Sequence, residues 1–255
     1  MQPNKKLVTI SDNIKQINQL LSELVLEPRI NAIKWSAITK QTPNMRIGYP
    51  GQHLASLIAG MEGERTGARG NDLIDGSEVK SCSRIDALDK CLDCEGPVAR
   101  LEEVCSSCGL KNILRSNDSK WLFGIRNEAD LNTLLHGVKR VLLILGDYPN
   151  FENKDFGTLR FQAFEIWPES VRNFRFGEIM SNYHYKIYLA HKKKNPAKNP
   201  APKNFWPYSY QFYLCNPIPT FSCVIQNANS APKIEILHYT KPNEDRSKLP
   251  SIIMP

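Results

Sequence analysis

Hydrophobic and polar positions along the chain alternate between helical and strand-like spacing. Apolar residues recur at helical spacing over 7–27, where Pro28 is expected to end the helix, and again over 52–61. Residues 138–145 form a near-continuous apolar run, which is typical of a strand buried on both faces. Further strands are predicted at 121–125, 158–167, 208–215, 222–226 and 233–239, and further helices at 30–38, 127–137 and 170–191. This order predicts an α/β (α+β) fold in which a mixed sheet is flanked by helices.

The stretch Asn71–Lys80 carries three carboxylates and one lysine around an Asp-Gly turn. Apolar residues flank the turn and predict a β-hairpin. A three-residue loop at 75–77 would place Asp72 opposite Lys80, so that Asp72, Glu78 and Lys80 share one face of the hairpin. A two-residue loop would move Asp72 to the other face, so a functional interpretation requires the odd loop.

These three side chains suit phosphodiester chemistry. Two carboxylates that converge on one point repel each other unless a cation lies between them. Oxygen ligands favour Mg²⁺, which proteins usually hold with one or two carboxylates and substrate phosphate. A lysine beside the metal can orient or help deprotonate the attacking water. We predict that Asp72 and Glu78 bind Mg²⁺ and that Lys80 is catalytic. Asp75 stays an alternative to Asp72, and a surface hairpin with ordinary charges is the alternative to a site.

The segment before this stretch adds charge and backbone freedom. Glu64, or alternatively Glu62, follows the predicted helix at 52–61 and is placed to assist the metal site. Arg65 and Arg69 lie among three glycines, which let the backbone approach a ligand closely. We predict that both arginines contact DNA phosphates, and a flexible linker is the alternative interpretation.

Two Cys-x-x-Cys pairs, separated by ten residues, have the spacing of a tetrahedral zinc site. Its ligands are predicted to be Cys91, Cys94, Cys105 and Cys108. Because four protein thiolates leave no open coordination position, this zinc is predicted to be structural, with an iron–sulfur centre as the alternative. The two pairs define a predicted zinc insertion at 86–112.

Basic residues outnumber acidic residues by 33 to 26, which gives a formal charge of +7 and a pI near 9.0. This balance favours a polyanionic partner, and a protein that binds none is the alternative, since a mild basic excess is common in such proteins. Five lysines interleaved with prolines over 191–208 predict a DNA-binding loop, and a solvated loop is the alternative. The lysines are Lys192, Lys193, Lys194, Lys198 and Lys203.

Three regions follow from these patterns. An N-terminal helical region is predicted at 1–50, a catalytic core with the zinc insertion at 51–148, and C-terminal strands and a helix with the basic loop at 149–255. Neither a signal peptide nor an apolar run of about 18 residues is found in the sequence, so a cytoplasmic protein without a membrane partner is expected.

The run Gly70-Asn71-Asp72, followed by Glu78-Val79-Lys80, resembles the catalytic signature of the PD-(D/E)XK nuclease superfamily. Asp72 matches the aspartate of that signature, Glu78 its second acid and Lys80 its lysine, whereas Asn71 replaces a frequent proline. The resemblance covers roughly residues 50–147. Together with the cysteine pairs, it is similar to type II restriction endonucleases with an inserted zinc ribbon.

The resemblance implies a restriction-endonuclease-like fold and Mg²⁺-dependent, sequence-specific cleavage of double-stranded DNA, leaving a 5′-phosphate and a 3′-hydroxyl. It also implies that the helix before the signature adds an acidic residue, Glu62 or Glu64. Two alternatives stay open: a structure-selective nuclease such as a junction resolvase, and a non-catalytic zinc-ribbon DNA-binding protein. The recognition sequence, the cut position, the base-contacting residues and the choice between monomer and dimer do not follow from the sequence.

Overall fold

A five-stranded mixed sheet organises the part of the chain that the structure, a computed structural model, describes: residues 1–43, 47–64 and 71–251. Its strand order is β1-β6-β7-β9-β10, with β1 parallel to β6 and the other neighbours antiparallel. Its strands are β1 (Ser77–Ser83), β6 (Arg140–Asp147), β7 (Leu159–Ile166), β9 (Ile218–Gln226) and β10 (Lys233–Tyr239). The predicted mixed α+β fold is confirmed, and one sheet spans both sides of the boundary predicted at residue 148.

Helices flank this sheet. They are α1 (Asn13–Leu21), α2 (Glu27–Thr39), α3 (Gly48–Ala59), α4 (Glu128–Asn132), α5 (Phe174–Asn182), α6 (Leu189–Lys194) and α7 (Tyr210–Leu214). Widened π-helical turns join α1 to α2 at Ser22–Leu26 and α5 to α6 at Tyr183–Tyr188. In the described ranges, no helix combines the length and the apolar character that a membrane span requires.

Two apolar cores lie on opposite faces of the sheet, and β6 contributes to both. Leu142 and Ile144 join the core beneath α1 and α3, whereas Leu143 and Leu145 join the core beneath α5 and α7. All eight residues of β6 are buried, which confirms the strand predicted from the apolar run. A two-stranded sheet, β5 (Trp121–Phe123) with β8 (Lys203–Phe205), supplies aromatic side chains to the second core.

Two predictions about individual elements are wrong. Pro28 does not end the first helix, because it lies in the first turn of α2, directly after the widened turn, where a helix tolerates proline. Residues 208–215 do not form a strand. Ser209 caps α7 by accepting a hydrogen bond from the Phe212 N–H, and the Phe212 side chain is buried in the second core.

A small lobe follows β1. Its antiparallel sheet has the order β3-β2-β4 and consists of β2 (Leu88–Cys91), β3 (Pro97–Ala99) and β4 (Ile113–Leu114). Buried Asp89 pairs with Arg100 Nε and with Arg115 Nη1, each at 2.8 Å. The Arg100 guanidinium lies 4.9 Å from the centre of the Phe151 ring, in the connection after β6. This cluster therefore anchors the lobe on the main domain.

Candidate active site

The edge strand β1 carries two of the three predicted catalytic residues on one face. Glu78 and Lys80 alternate with Val79, which is buried in the first core. Lys80 Nζ forms an ion pair with Glu78 Oε1, and both side chains stay partly exposed. On the other face, α3 packs so closely that a Cβ added at Gly51 would lie 2.1 Å from Ser81 Oγ. Packing thus fixes the strand while Glu78 and Lys80 remain accessible.

Asp72 reaches the same strand from a tight turn and not from a hairpin. The Val79 N–H donates to Asp72 Oδ2 at 2.7 Å, and Gln52 Nε2 donates to Asp72 Oδ1 at 3.4 Å. The Ser77 carbonyl accepts hydrogen bonds from the N–H groups of both Asp72 and Leu73, which closes the turn. The predicted hairpin is wrong, because β1 pairs in parallel with β6, far along the chain. The structure nevertheless brings the three predicted residues to one stretch of β1.

The charges at this site leave a place for a cation. Burial raises the pKa of Glu78 above its ordinary value of 4.5; Lys80 opposes this shift and the negative charge of Asp72 adds to it. Two carboxylates that repel each other electrostatically are stabilised by a cation, a role that the Lys80 ammonium takes at Glu78 in this structure. Their oxygen atoms are the ligand type that Mg²⁺ prefers, so the donor set of Asp72 and Glu78 fits this ion.

Asp75, the alternative ligand, is turned away from Glu78. Its Oδ1 accepts hydrogen bonds from the Ser77 N–H at 3.1 Å and the Ser77 hydroxyl at 2.6 Å. Its Oδ2 lies 3.1 Å from Arg140 Nη2, and the side chain is only 1% exposed. Gly76, at φ +85°, supplies the left-handed conformation that the turn requires. Of the two aspartates, Asp72 is therefore the one that lies beside β1.

Glu64 and Glu62 differ in their neighbours. The Glu64 N–H donates to the Asp72 carbonyl at 2.9 Å, so the two residues lie opposite each other on antiparallel segments. The Glu62 carboxylate instead accepts a hydrogen bond from Thr9 Oγ1 at 3.4 Å. Among the described residues, one group of three or more His, Cys, Asp or Glu side chains brings its possible ligand atoms together, and it consists of the four lobe cysteines. Glu64 therefore does not complete a three-acid site with Asp72 and Glu78 in this conformation.

The predicted DNA-binding residues fall into three groups. Arg65 and Arg69 lie outside the described residues. Four lysines on and after the last turn of α6 are partly or fully exposed: Lys192, Lys193, Lys194 and Lys198. Lys203 differs, because it begins β8, is 8% exposed and donates to Gln211 Oε1 at 2.7 Å. This burial contradicts the predicted phosphate contact of Lys203, and the basic segment is not a loop throughout.

The four lobe cysteines converge as the sequence predicts. Their sulfur atoms all lie within 4.8 Å of one another. The Cys91–Cys108 and Cys94–Cys105 Sγ distances are 3.6 and 3.5 Å, close to the roughly 3.8 Å edge of a tetrahedral zinc site with Zn–S bonds of about 2.3 Å. Backbone N–H donation from Cys108 is the main cause that lowers the pKa of Cys105 to about 6, whereas hydrogen bonds among the cysteines raise the pKa of Cys94 and Cys108. The donor set therefore fits Zn²⁺.

Two residues near the site were not predicted. Gln52 on α3 touches the Asp72 carboxylate, but a single polar residue at the start of an amphipathic helix carries no signal of this contact. Arg140 is the first residue of the buried strand β6, and it contacts the turn at 72–77 by an ion pair with Asp75. A charged residue beside an apolar run that predicts burial is the signal that could have identified it, because a buried charge requires a partner.

Fold and site together describe a mixed α+β protein with an acid–acid–lysine centre and a four-thiolate lobe. Comparison with known families places it more narrowly, since residues 34–255 match the family model described as MamI restriction endonuclease. That match covers most of the chain, and the chain therefore belongs to the MamI restriction endonuclease family.

A curated relative supports the same family over a shorter stretch. The type II restriction enzyme MamI of Microbacterium ammoniaphilum is 31% identical to the chain over 83 residues, which are 32% of this chain and 27% of the relative. The match thus spans little more than a quarter of that relative's length. No solved structure matches the chain. The sequence also suggests HhaI endonuclease as the individual enzyme, which these matches do not confirm.

Proposed function

We propose that the protein is a type II restriction endonuclease of the PD-(D/E)XK superfamily, which cleaves double-stranded DNA at a specific sequence with Mg²⁺. The observation that supports this proposal is that the Asp72 carboxylate accepts a hydrogen bond from β1, the edge strand that bears Glu78 and Lys80, in a chain of a restriction endonuclease family. The products would be a 5′-phosphate and a 3′-hydroxyl, as hydrolysis by an attacking water at phosphorus requires when the 3′-oxygen leaves.

Each side chain has a role that follows from its position. Asp72 and Glu78 would hold Mg²⁺, which when bound supplies a Lewis acid for the phosphate and a more acidic water. Glu78 holds the Lys80 ammonium by their ion pair, so that the ammonium can orient the attacking water and offset negative charge at phosphorus. Glu64, exposed and opposite Asp72, would assist after a change of side-chain conformation.

The remaining charges suit binding of the DNA backbone. Exposed Lys192, Lys193, Lys194 and Lys198 would contact phosphates, as would Arg65 and Arg69, whereas buried Lys203 is not included. The four-thiolate lobe would hold a structural zinc. The lobe and the basic segment would contact the duplex from two sides. In this assignment, residues 51–148 supply catalysis, residues 149–255 supply DNA contacts, and residues 1–50 support the core.

Incubation of the purified protein with a sequenced plasmid and Mg²⁺, followed by mapping of the DNA ends, tests the proposal. We expect discrete fragments with one shared end sequence. Lys80→Ala should lose cleavage and keep DNA binding, whereas Lys233→Ala, an exposed lysine on the far edge strand β10, should cut normally. Cutting of four-way junctions but not of plasmid would indicate a structure-selective nuclease. A sequence-specific mobility shift without cutting would indicate a DNA-binding protein, and a fully active Lys80→Ala would refute the assignment.

A further inference from the structure

Four buried charged side chains form a row of ion pairs that begins at the turn at 72–77 and extends into the protein. Asp75 contacts Arg140, Arg140 Nη1 lies 2.9 Å from Glu165 Oε1, and Arg246 Nε lies 3.3 Å from Glu165 Oε2. All four side chains are at most 1% exposed. Negative and positive charges alternate along this row, so the four charges sum to zero and each one lies beside an opposite charge.

The Arg140 guanidinium links the turn to the sheet through side chains, in addition to the backbone hydrogen bond from the Lys139 N–H to the Gly76 carbonyl. Arg140 Nε donates to Ser77 Oγ at 2.8 Å, and the Ser77 hydroxyl in turn donates to Asp75 Oδ1. A single planar fork thus holds Ser77 and Asp75 on one side and Glu165 of β7 on the other. Because Arg140 and Glu165 belong to the central strands β6 and β7, the turn is tied to the most buried part of the sheet.

The position of Asp72 depends on this turn. The turn runs only from Asp72 to Ser77. The Ser77 carbonyl closes it by accepting hydrogen bonds from the N–H groups of Asp72 and Leu73. The Asp72 carboxylate then receives the Val79 N–H of β1. If Asp75 were released from Arg140, the turn would lose its inner anchor, and the carboxylate of Asp72 would lose its fixed place beside Glu78.

We infer that Arg140 is a positioning residue of the nuclease centre, which acts through Asp75 and Ser77 to hold the Asp72 carboxylate against β1. This inference rests on the proposed function for its catalytic consequence. Arg140 touches neither substrate nor metal in this scheme. Its effect on cleavage is transmitted by the turn, and a displacement of about 1 Å at a reacting centre can cost about a hundredfold in rate.

The control is a second aspartate–arginine pair that also includes a residue of β6, with a buried aspartate and an arginine that is 28% exposed. Asp147, at the other end of β6, accepts two hydrogen bonds from Arg160, at 2.9 and 2.6 Å, and it has no bond to the turn. Asp75→Asn and Asp147→Asn each remove one buried carboxylate charge that faces a guanidinium. A role in stability alone predicts similar effects of the two changes.

The first measurement is amide exchange of Val79 by NMR, in zinc-loaded protein without Mg²⁺ or DNA. Asp75→Asn should raise the exchange rate of this amide about tenfold, because the carboxylate that accepts its hydrogen bond is no longer held. Asp147→Asn should leave the rate within about twofold of the original. Equal rates in the two variants would overturn the inference, whether or not the protein cleaves DNA.

The second measurement is cleavage by the folded variants. Asp75→Asn should lower kcat about tenfold or more and raise the half-saturating Mg²⁺ concentration, with KM for DNA nearly unchanged. Asp147→Asn should retain kcat. Should Asp75→Asn fail to fold, Ser77→Ala removes only the bridging hydroxyl and should shift both quantities in the same direction by a smaller factor. Unchanged Val79 exchange and kcat in Ser77→Ala, with Asp75→Asn unfolded, would also overturn the inference. If the original protein cuts no DNA, the proposed function fails, but the exchange comparison still decides the role of Arg140.

Discussion

Removal of Asp89 should destabilise the protein far more than removal of an exposed acid from the same lobe. In the structure, the Asp89 carboxylate forms an ion pair with Arg100 and accepts hydrogen bonds from Arg115 and, at 3.1 Å, from the Ser116 N–H. Asp89→Ala would leave the Arg100 guanidinium, 1% exposed, without its carboxylate. Burial already lowers the pKa of Arg100 and Asp89 opposes that shift, so the charged guanidinium depends on this partner.

The magnitude follows from the burial of the pair. Loss of one partner of a buried ion pair costs about 3–5 kcal/mol. Since about 1 kcal/mol shifts Tm by roughly 2–4 °C in a protein of this size, the expected decrease is roughly 6–20 °C. Thermal unfolding followed by circular dichroism, with Glu103→Ala as the exposed control, measures it. A decrease no larger than that of the control would refute the view that this pair anchors the lobe.

The other predictions concern metal, pH and salt. Because burial raises the pKa of Glu78, its charged form is lost as pH falls through that raised value, and the cleavage rate should fall with it. Excess Mg²⁺ should move the midpoint of this fall to lower pH, which pH–rate profiles at two Mg²⁺ concentrations will measure. Cys108→Ser should lower bound zinc below one equivalent by metal analysis and lower Tm, whereas Cys223→Ser, outside the lobe, should keep the zinc. Changing Lys192, Lys193 and Lys194 to alanine should reduce the slope of log K against log salt by about 0.9 for each lost phosphate contact, measured by fluorescence anisotropy with duplex DNA.

Sequence patterns predicted the parts of the fold that depend on composition over a short window. The apolar run before Asp147 and the paired cysteines of the lobe each carry their structural meaning locally. The hairpin failed for a physical reason: alternation around Asp75-Gly76 indicates extended chain but not its partner. That partner is β6, whose residues are more than sixty positions away and offer a longer apolar surface.

The candidate site shows the same limit at the level of side chains. Residue types single out Asp72, Glu78 and Lys80 as candidates, because two acids and a lysine on one face suit phosphodiester chemistry. Lys203 lies in the same proline-containing segment as the exposed lysines, but strand pairing with β5 and a hydrogen bond to Gln211 bury it. Whether a charge is exposed is decided by tertiary contacts, which the local sequence does not contain.

The buried ion pairs of Asp75 and of Asp89 both restrain the edge strand β1. An edge strand has a hydrogen-bonded neighbour on one side only, so its position is less constrained than that of an interior strand. Here Asp75 fixes the segment that enters β1, and Asp89, six residues beyond its last residue, fixes the lobe that follows it. Both clusters couple the strand to rigid parts of the domain, the first through β6 and β7 and the second through the aromatic residues after β6. The strand that bears Glu78 and Lys80 is therefore held at its two ends, while both side chains stay partly exposed between them.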